Sequence, residues 1–502
     1  MASHVTQIFS ILSKYENNDI LDKYSAIQDL FKDLFLQIMP AKVRHCLGEY
    51  YTPAWLADHV VETALKMLPQ KENWRGLDPC AGSGTFVTVM IRHIVSELSG
   101  KEDSVILDSV LSRVKAIDLN PLAVLSARIN YFTNISPFLT LGVGVEIPVY
   151  LGDASYVPEK VQIDSITCLR YSLKTTHGDI DIEIPQDAVA DTNHFSREMT
   201  ALENDIHARD EQAVFARLIN LVPKSQRTDA IKQRIVSLAH KFVDLEKKDW
   251  NGIWARIVTN FLTTANIGKF DIIAGNPPWI DWKNLPAGYR NRIISLCISR
   301  ELFSGDGITG GINLNICALI SNVAAQNWLA SEGVLAFLMP QTILFQKTYD
   351  GFRRLKQDGG DSLFFQKVVD WTKAGHPFAP VQHKFLTYYI GRKEQDYSTG
   401  IAVDIIAKHN RVNLADYAKA EHYAEVSDIF DITSRLLVQA SEESTSFSYA
   451  NNHEDIAYFS KIAGSTEYLG RDGVDFYPQE LLLFRYLDMP APQNLALVSS
   501  QI

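Results

Sequence analysis

The sequence predicts an α/β protein built on a mostly parallel sheet, and three observations carry that prediction. Short apolar runs stop abruptly at a carboxylate, a glycine or a proline: Leu77-Asp78, Ala116-Ile117-Asp118, Phe270 to Gly275 and Gly333 to Pro340. Strands buried on both faces read this way, because crossover helices cover a parallel sheet above and below. Amphipathic helical patterns alternate with these runs, and the polar residues just past their ends fall where open α/β sheets bind ligands.

Length and composition narrow the class further. A chain of 502 residues, 46% apolar, buries a large core in two or three units. No apolar stretch reaches the roughly 20 residues that cross a bilayer, and the N-terminus lacks a charged segment followed by an apolar signal core. The expected setting is cytoplasmic, with no membrane partner. Cys46, Cys80, Cys168, Cys297 and Cys317 are odd in number and lack CxxC spacing, so reduced thiols and no structural metal are expected. The net charge of −11 opposes phosphate binding, so a DNA ligand requires a local basic surface or a partner chain.

Taken in order, residues 1–47 carry Ile8, Leu12, Leu21, Tyr24, Leu30 and Leu34 at helical spacing. Gly48-Glu49-Tyr50-Tyr51-Thr52-Pro53 then opens a second amphipathic helix, with Thr52 as its cap and Pro53 in its first turn. Leu77-Asp78-Pro79-Cys80-Ala81-Gly82-Ser83-Gly84-Thr85-Phe86 follows a short strand and enters the next helix. Glycines there let the backbone approach a ligand, and the helix start offers free N–H groups. Val114 to Asp118 forms a strand ending in an acid that either accepts two ribose hydroxyls or caps the helix after Pro121. Tyr150-Leu151-Gly152-Asp153 ends a third strand. An insertion over about 155–250 then combines a hairpin-like alternation with helical periodicity.

Phe270 to Trp279 is the centre of the chain. Pro277 and Pro278 fix φ near about −65°, supply no N–H, and keep Asn276 out of the helical region, so carbonyls and the Asn276 amide point into a cleft beside Trp279. An acceptor pair next to an aromatic plate suits an exocyclic amino group: the Asn276 oxygen and the Pro277 carbonyl accept its protons, and Trp279 stacks on the base. Downstream, Trp282, Lys283, Arg290 and Arg292 interleave aromatic and basic character, which fits displaced DNA or a solvated helix start. Arg353, Arg354 and Lys356 mark a polar helix face. Phe364 to Trp371 and Phe385 to Ile390 read as strands, and from about Gly400 the chain turns irregular, with a linker at Ser441 to Ser448.

These motifs resemble those of amino-group methyltransferases that use S-adenosylmethionine, chiefly N6-adenine DNA methyltransferases with a gamma-like motif order. Asn-Pro-Pro-Trp is similar to their catalytic turn, D-P-x-x-G-S-G-x-F to their cofactor loop, and G-x-Y-Y-T-P to a segment of type I-like and type IIG-like modification enzymes. The longer N-P-P-W-x-x-W-x-x-L-P-x-x-Y-R resembles large methylases of phage-defence systems of the DISARM or BREX kind. The resemblance implies a Rossmann-like, seven-stranded class I methyltransferase sheet with its last two strands antiparallel. It divides the chain into an N-terminal helical region (1–47), a catalytic domain (48–395) and a C-terminal unit (396–502). By resemblance, Asn276, Pro277, Pro278 and Trp279 are catalytic. Tyr51, Thr52, Pro53, Asp78, Ala81, Gly82, Gly84, Phe86, Asp118 and Asp153 contact S-adenosylmethionine, and Phe378 flanks the flipped adenine opposite Trp279. The implied partners are DNA and a separate recognition or defence-complex subunit. Methylation of RNA or of protein glutamine, and a non-catalytic cofactor-binding scaffold, are the rival readings.

Overall fold

The computed structural model describes residues 52–140, 144–173, 180–248, 253–303, 314–377, 384–439, 445–462, 484–486 and 498–500. The N-terminal region 1–47, Tyr51 and Phe378 lie outside the described residues. The first half of a sheet is built by α1 (Ala54–Met67), β1 (Gly76–Asp78), α2 (Thr85–Glu97), α3 (Asp103–Arg113), β2 (Val114–Asp118), α4 (Pro121–Ile135) and β3 (Val149–Leu151). A subdomain follows, made of β4 (Glu159–Ile163), β5 (Ile166–Leu173), β6 (Ile180–Pro185), α5 (Thr192–His207), α6 (Glu211–Leu221) and α7 (Asp229–Lys247). The chain returns through α8 (Ile253–Thr264) to β7 (Phe270–Gly275), α9 (Ala287–Ser299), α10 (Ile316–Trp328) and β8 (Leu329–Pro340). The remaining strands of the sheet are β9 (Phe364–Lys373), β10 (Phe385–Gly391), β11 (Ile401–Lys408), β12 (Phe430–Val438) and β13 (Ser448–Ala450).

The spatial order is β13-β12-β11-β9-β10-β8-β7-β1-β2-β3. From β3 to β8 every pairing is parallel, while β10 runs antiparallel to both β8 and β9. Among the described residues the sheet has ten strands, against the seven expected. The stretch after Gly400, expected to be irregular, instead adds β11 parallel to β9 and β12 antiparallel to β11.

Period-two burial explains why the runs read as continuously apolar. Ile272, Ala274, Val334, Ala336 and Leu338 enter one core with α1, α2 and α4, whereas Ile273, Leu335, Phe337 and Met339 enter another with α10. Both faces are covered, so no polar side chain is called for between them. The subdomain closes its own core around Leu169, Tyr171, Phe195, Leu218, Ile235 and Phe242. Arg353 ends a four-residue helical turn and is 2% exposed, donating to the carbonyls of Ile343 and Gln346, so of the expected polar face Arg353 turns inward while Arg354 stays exposed.

Candidate active site

Parallel strands place their carboxyl ends side by side, about 4.8 Å apart. In the order β3, β2, β1 and β7, those ends carry Asp153, Asp118, Asp78 and Asn276. The loop after β1 is tied to β2 by Ala81 N–H donating to the Ile117 carbonyl at 2.9 Å. Gly82 and Gly84 adopt φ of 54° and 100°, and a Cβ on Gly84 would sit 3.3 Å from the Ala127 backbone, so α2 and α4 pack closely only with glycine there. Asp118 accepts from Gly82 N–H at 2.8 Å and from Asn120 N–H at 2.8 Å. Asn120, not Asp118, caps α4, its side chain accepting from Leu122 N–H at 3.0 Å.

Asp78 is 1% exposed and accepts from Cys80 N–H at 3.0 Å. Burial pushes its carboxyl well above the ordinary range, and the neighbouring Asp118 adds to this while the Cys80 N–H opposes it. Gly275 at the end of β7 has no room for a side chain, because a Cβ would lie 2.7 Å from Asp78 Oδ1. Ala81 and Phe86 are buried, Phe86 within the core against α1.

The turn after β7 is held from both sides. Asn276 Nδ2 donates to Thr52 Oγ1 at 3.3 Å, which directs the amide oxygen away from Thr52. Thr52 is buried and does not cap α1; Pro53 occupies the cap position, its carbonyl accepting from Leu56 and Ala57 N–H. Pro277 is buried and Pro278 half-buried. Trp279 is half-buried, its indole N–H donates to the Leu338 carbonyl at 3.1 Å, and its ring centroid lies 6.1 Å from that of Phe385.

A family model described as Eco57I restriction-modification methylase matches residues 113–378, just over half of the 502-residue chain. The chain belongs to that family. The Eco57I-family match spans β2 through β9, the inserted subdomain and the Asn-Pro-Pro-Trp turn included. Among solved structures, the chain resembles a nuclease-deletion mutant of the Type ISP restriction-modification enzyme LlaGI in complex with a DNA substrate mimic. Identity there is 12% with TM-score 0.40, covering 77% of this chain and 26% of that one. A DrdV–DNA complex matches at 11% identity and TM-score 0.43, covering 86% and 33%. A modification subunit of a putative type I restriction enzyme from Vibrio vulnificus YJ016 matches at 12% identity and TM-score 0.39, covering 84% and 63%. The chain thus spans between 21% and 33% of the first three structures it matches. No curated protein sequence matches it.

Downstream of the central turn of this Eco57I-family chain, Trp282 and Arg292 turn inward, while Lys283 and Arg290 keep solvent access. Trp282 is 5% exposed and packs edge-on against Phe303 with centroids 5.2 Å apart, so it is a core residue. Lys283 is half exposed and lies 3.8 Å from Asp281, and Arg290 is half-buried near the start of α9. Arg292 points inward and pairs with Asp153, which is 3% exposed and also accepts from Ser155 Oγ at 2.7 Å and Tyr289 OH at 3.1 Å. Sequence reasoning saw Tyr289 only as part of the aromatic and basic stretch and gave it no role, although it lies one helical turn from Arg292 and so shares its face of α9. Among the described residues there is no group of three or more His, Cys, Asp and Glu arranged to hold a metal, and no helix long and apolar enough to cross a membrane.

Proposed function

We propose that this chain is the modification component of a restriction or phage-defence system, a DNA methyltransferase that transfers the methyl group of S-adenosylmethionine to adenine N6. The observation that carries the reading is Asn276, turned by Thr52 at the carboxyl end of β7, in line with the acidic ends of β1 and β2. The residues suit that cofactor. A Cβ on Gly82 would meet no atom of the described residues within 4 Å, and Asp118 flanks that loop with a carboxylate suited to ribose hydroxyls, with the Asp78 carboxyl buried beside it.

S-adenosylmethionine supplies an electrophilic methyl group; the protein supplies position and polarity. Asn276 Oδ1 and the Pro277 carbonyl accept the two protons of the adenine amino group, which favours rehybridisation of N6 and aims its lone pair. Trp279, anchored through Leu338, stacks on the extruded base, and such stacking is worth about 1 to 3 kcal/mol, comparable to the cost of unstacking. Orientation and electrostatics carry the rate: the S–CH3 bond breaks as the N6–CH3 bond forms, and the acidic N-methylated aminium then loses one proton to water without a strong general base. Asp118 would hold the ribose hydroxyls, and Asp153 lies one strand further along the same edge of the sheet. With a net charge of −11, much of the DNA contact falls to another subunit.

The test is transfer of labelled methyl from S-adenosylmethionine to methylation-free genomic DNA, by the chain alone and with proteins encoded beside it, followed by nucleoside analysis. Label in N6-methyladenine is expected, lost in Asn276→Ala while cofactor binding persists. Cofactor binding with no label in DNA under either condition would sink the DNA reading in favour of RNA or protein glutamine. Unchanged complex function in Asn276→Ala would leave only a scaffold.

A further inference from the structure

Asp153, just past the end of β3, is surrounded by donors from its own loop and from α9. Ser155 donates through its N–H at 2.9 Å and its hydroxyl at 2.7 Å, Tyr289 through its hydroxyl at 3.1 Å, and Arg292 through Nη2. The Tyr289 and Ser155 hydroxyls are themselves 2.5 Å apart. The Arg292 guanidinium lies over the ring of Tyr156 at 4.6 Å and over that of Tyr289 at 5.2 Å. Tyr156 in turn lies 5.1 Å from Tyr171 of β5, which stacks on Phe261 of α8 at 4.9 Å with 22° between planes. One buried cluster therefore joins the loop after β3, the helix that follows the Asn-Pro-Pro-Trp turn, and the inserted subdomain.

We infer that Arg292 is a positioning residue that fixes the loop after β3 against α9, and that the inserted subdomain serves the reaction by bracing Arg292 through Tyr156 and Tyr171. A planar guanidinium is well shaped for this, since it stacks on two rings while its edge donates to the carboxylate, so a single side chain fixes both direction and depth. Fully formed, such a buried polar cluster is rigid; missing one member, it leaves a charge without compensation. The inference rests on the reading that the cleft binds S-adenosylmethionine. It also reverses the sequence-based expectation that Arg292 faces DNA.

The experiment measures S-adenosylmethionine affinity by calorimetry, and the salt dependence of DNA affinity, for the full chain together with any subunit it needs. Arg292→Ala is expected to weaken cofactor binding about tenfold or more, with the slope of log K against log salt unchanged. Arg292→Lys should recover part of the loss, because it restores the charge without the planar stack. Adding Asp153→Asn to Arg292→Ala should change cofactor affinity by less than about twofold further, as members of one unit do. Should Arg292→Ala not fold, Tyr289→Phe keeps the ring under Arg292 while removing one donor to Asp153, and should weaken the cofactor about threefold. Cofactor affinity within twofold of the parent in the folded variant, or additive losses in the double variant, would overturn the inference alone. A salt slope lower by about 1 with cofactor affinity intact would make Arg292 a phosphate contact instead. A parent chain that binds no S-adenosylmethionine would remove the functional reading and this inference with it.

Discussion

Replacing Thr52 with valine tests the link between the two ends of the site. The substitution keeps volume and branching but deletes Oγ1, which accepts from Asn276 Nδ2 at 3.3 Å. Thr52 is 5% exposed, so water does not readily take over the lost contact. Removing the partner of a buried donor costs about 1 to 3 kcal/mol, and a bond at the long end of the normal range belongs near the lower bound. At 1.36 kcal/mol per decade, a shift of about 1 to 1.5 kcal/mol in the balance between the two Asn276 amide orientations lowers kcat for methyl transfer by up to roughly 5- to 12-fold. The direction also follows from polarity: an Asn276 amide released from Thr52 can turn over and present NH2 where the base needs an acceptor. Single-turnover transfer of labelled methyl, beside calorimetric cofactor binding, separates the terms. The expected result is the fall in kcat, cofactor Kd within about threefold, and rescue by Thr52→Ser. An unchanged kcat, or a loss confined to cofactor affinity, refutes the assignment of Thr52 as the orienter of Asn276.

Gly275→Ala places a Cβ 2.7 Å from Asp78 Oδ1. Overpacking of this kind costs about 1 to 3 kcal/mol of stability, so the unfolding midpoint should fall, and a displaced Asp78 should weaken the cofactor as well; thermal melts beside calorimetry will show whether both occur. His59 sits edge-on to Trp371 and Tyr423, and burial lowers its pKa from 6.5 to about 4. The unfolded chain therefore binds a proton that the folded chain refuses, so this contribution is intact above pH 6.5 and is lost as pH falls toward 4. The loss amounts to about 3 kcal/mol; melts at pH 7.5 and 5 should differ less in His59→Phe than in the parent, and equal differences would discard the argument. Replacing Lys283 and Arg290 together by alanine should lower the salt slope of DNA binding by about 2 if both meet phosphates, and an identical slope returns them to the solvated surface.

What was legible in the sequence was whatever is decided within a few residues. Gly82 and Gly84 announced a loop of close backbone approach, Pro277 and Pro278 a fixed turn, and the apolar runs a doubly covered sheet. The cap of α4 was one residue pair from resolution: Asn120 takes it and leaves Asp118 to the glycine loop. The pairs that orient the site were not legible. Thr52 and Asn276 are 224 positions apart, and Asp153 and Arg292 are 139 apart, so strand order alone brings them together. Trp282 looked like a binding aromatic because its neighbours are basic, yet its fate is decided by Phe303, which no local pattern announces. β11 is a different kind of omission. Ile401, Val403 and Ile405 alternate as a half-buried strand should, and that signal was available beside Gly400.

The inserted subdomain also governs how this sheet is closed. Arg75 N–H donates to Asp271 at a separation of 196 residues, so the pairing of β1 with β7 must span the whole of β4 to α7. The equilibrium cost of that detour is small: removing the subdomain would about halve the loop, a change of roughly 0.6 kcal/mol. Its kinetic consequence is larger, because long-range parallel pairings form late. A subdomain with its own core can collapse first and shorten the remaining search. The central strand of the sheet, and the Asn-Pro-Pro-Trp turn at its end, would then be among the last parts of the molecule to acquire their final form.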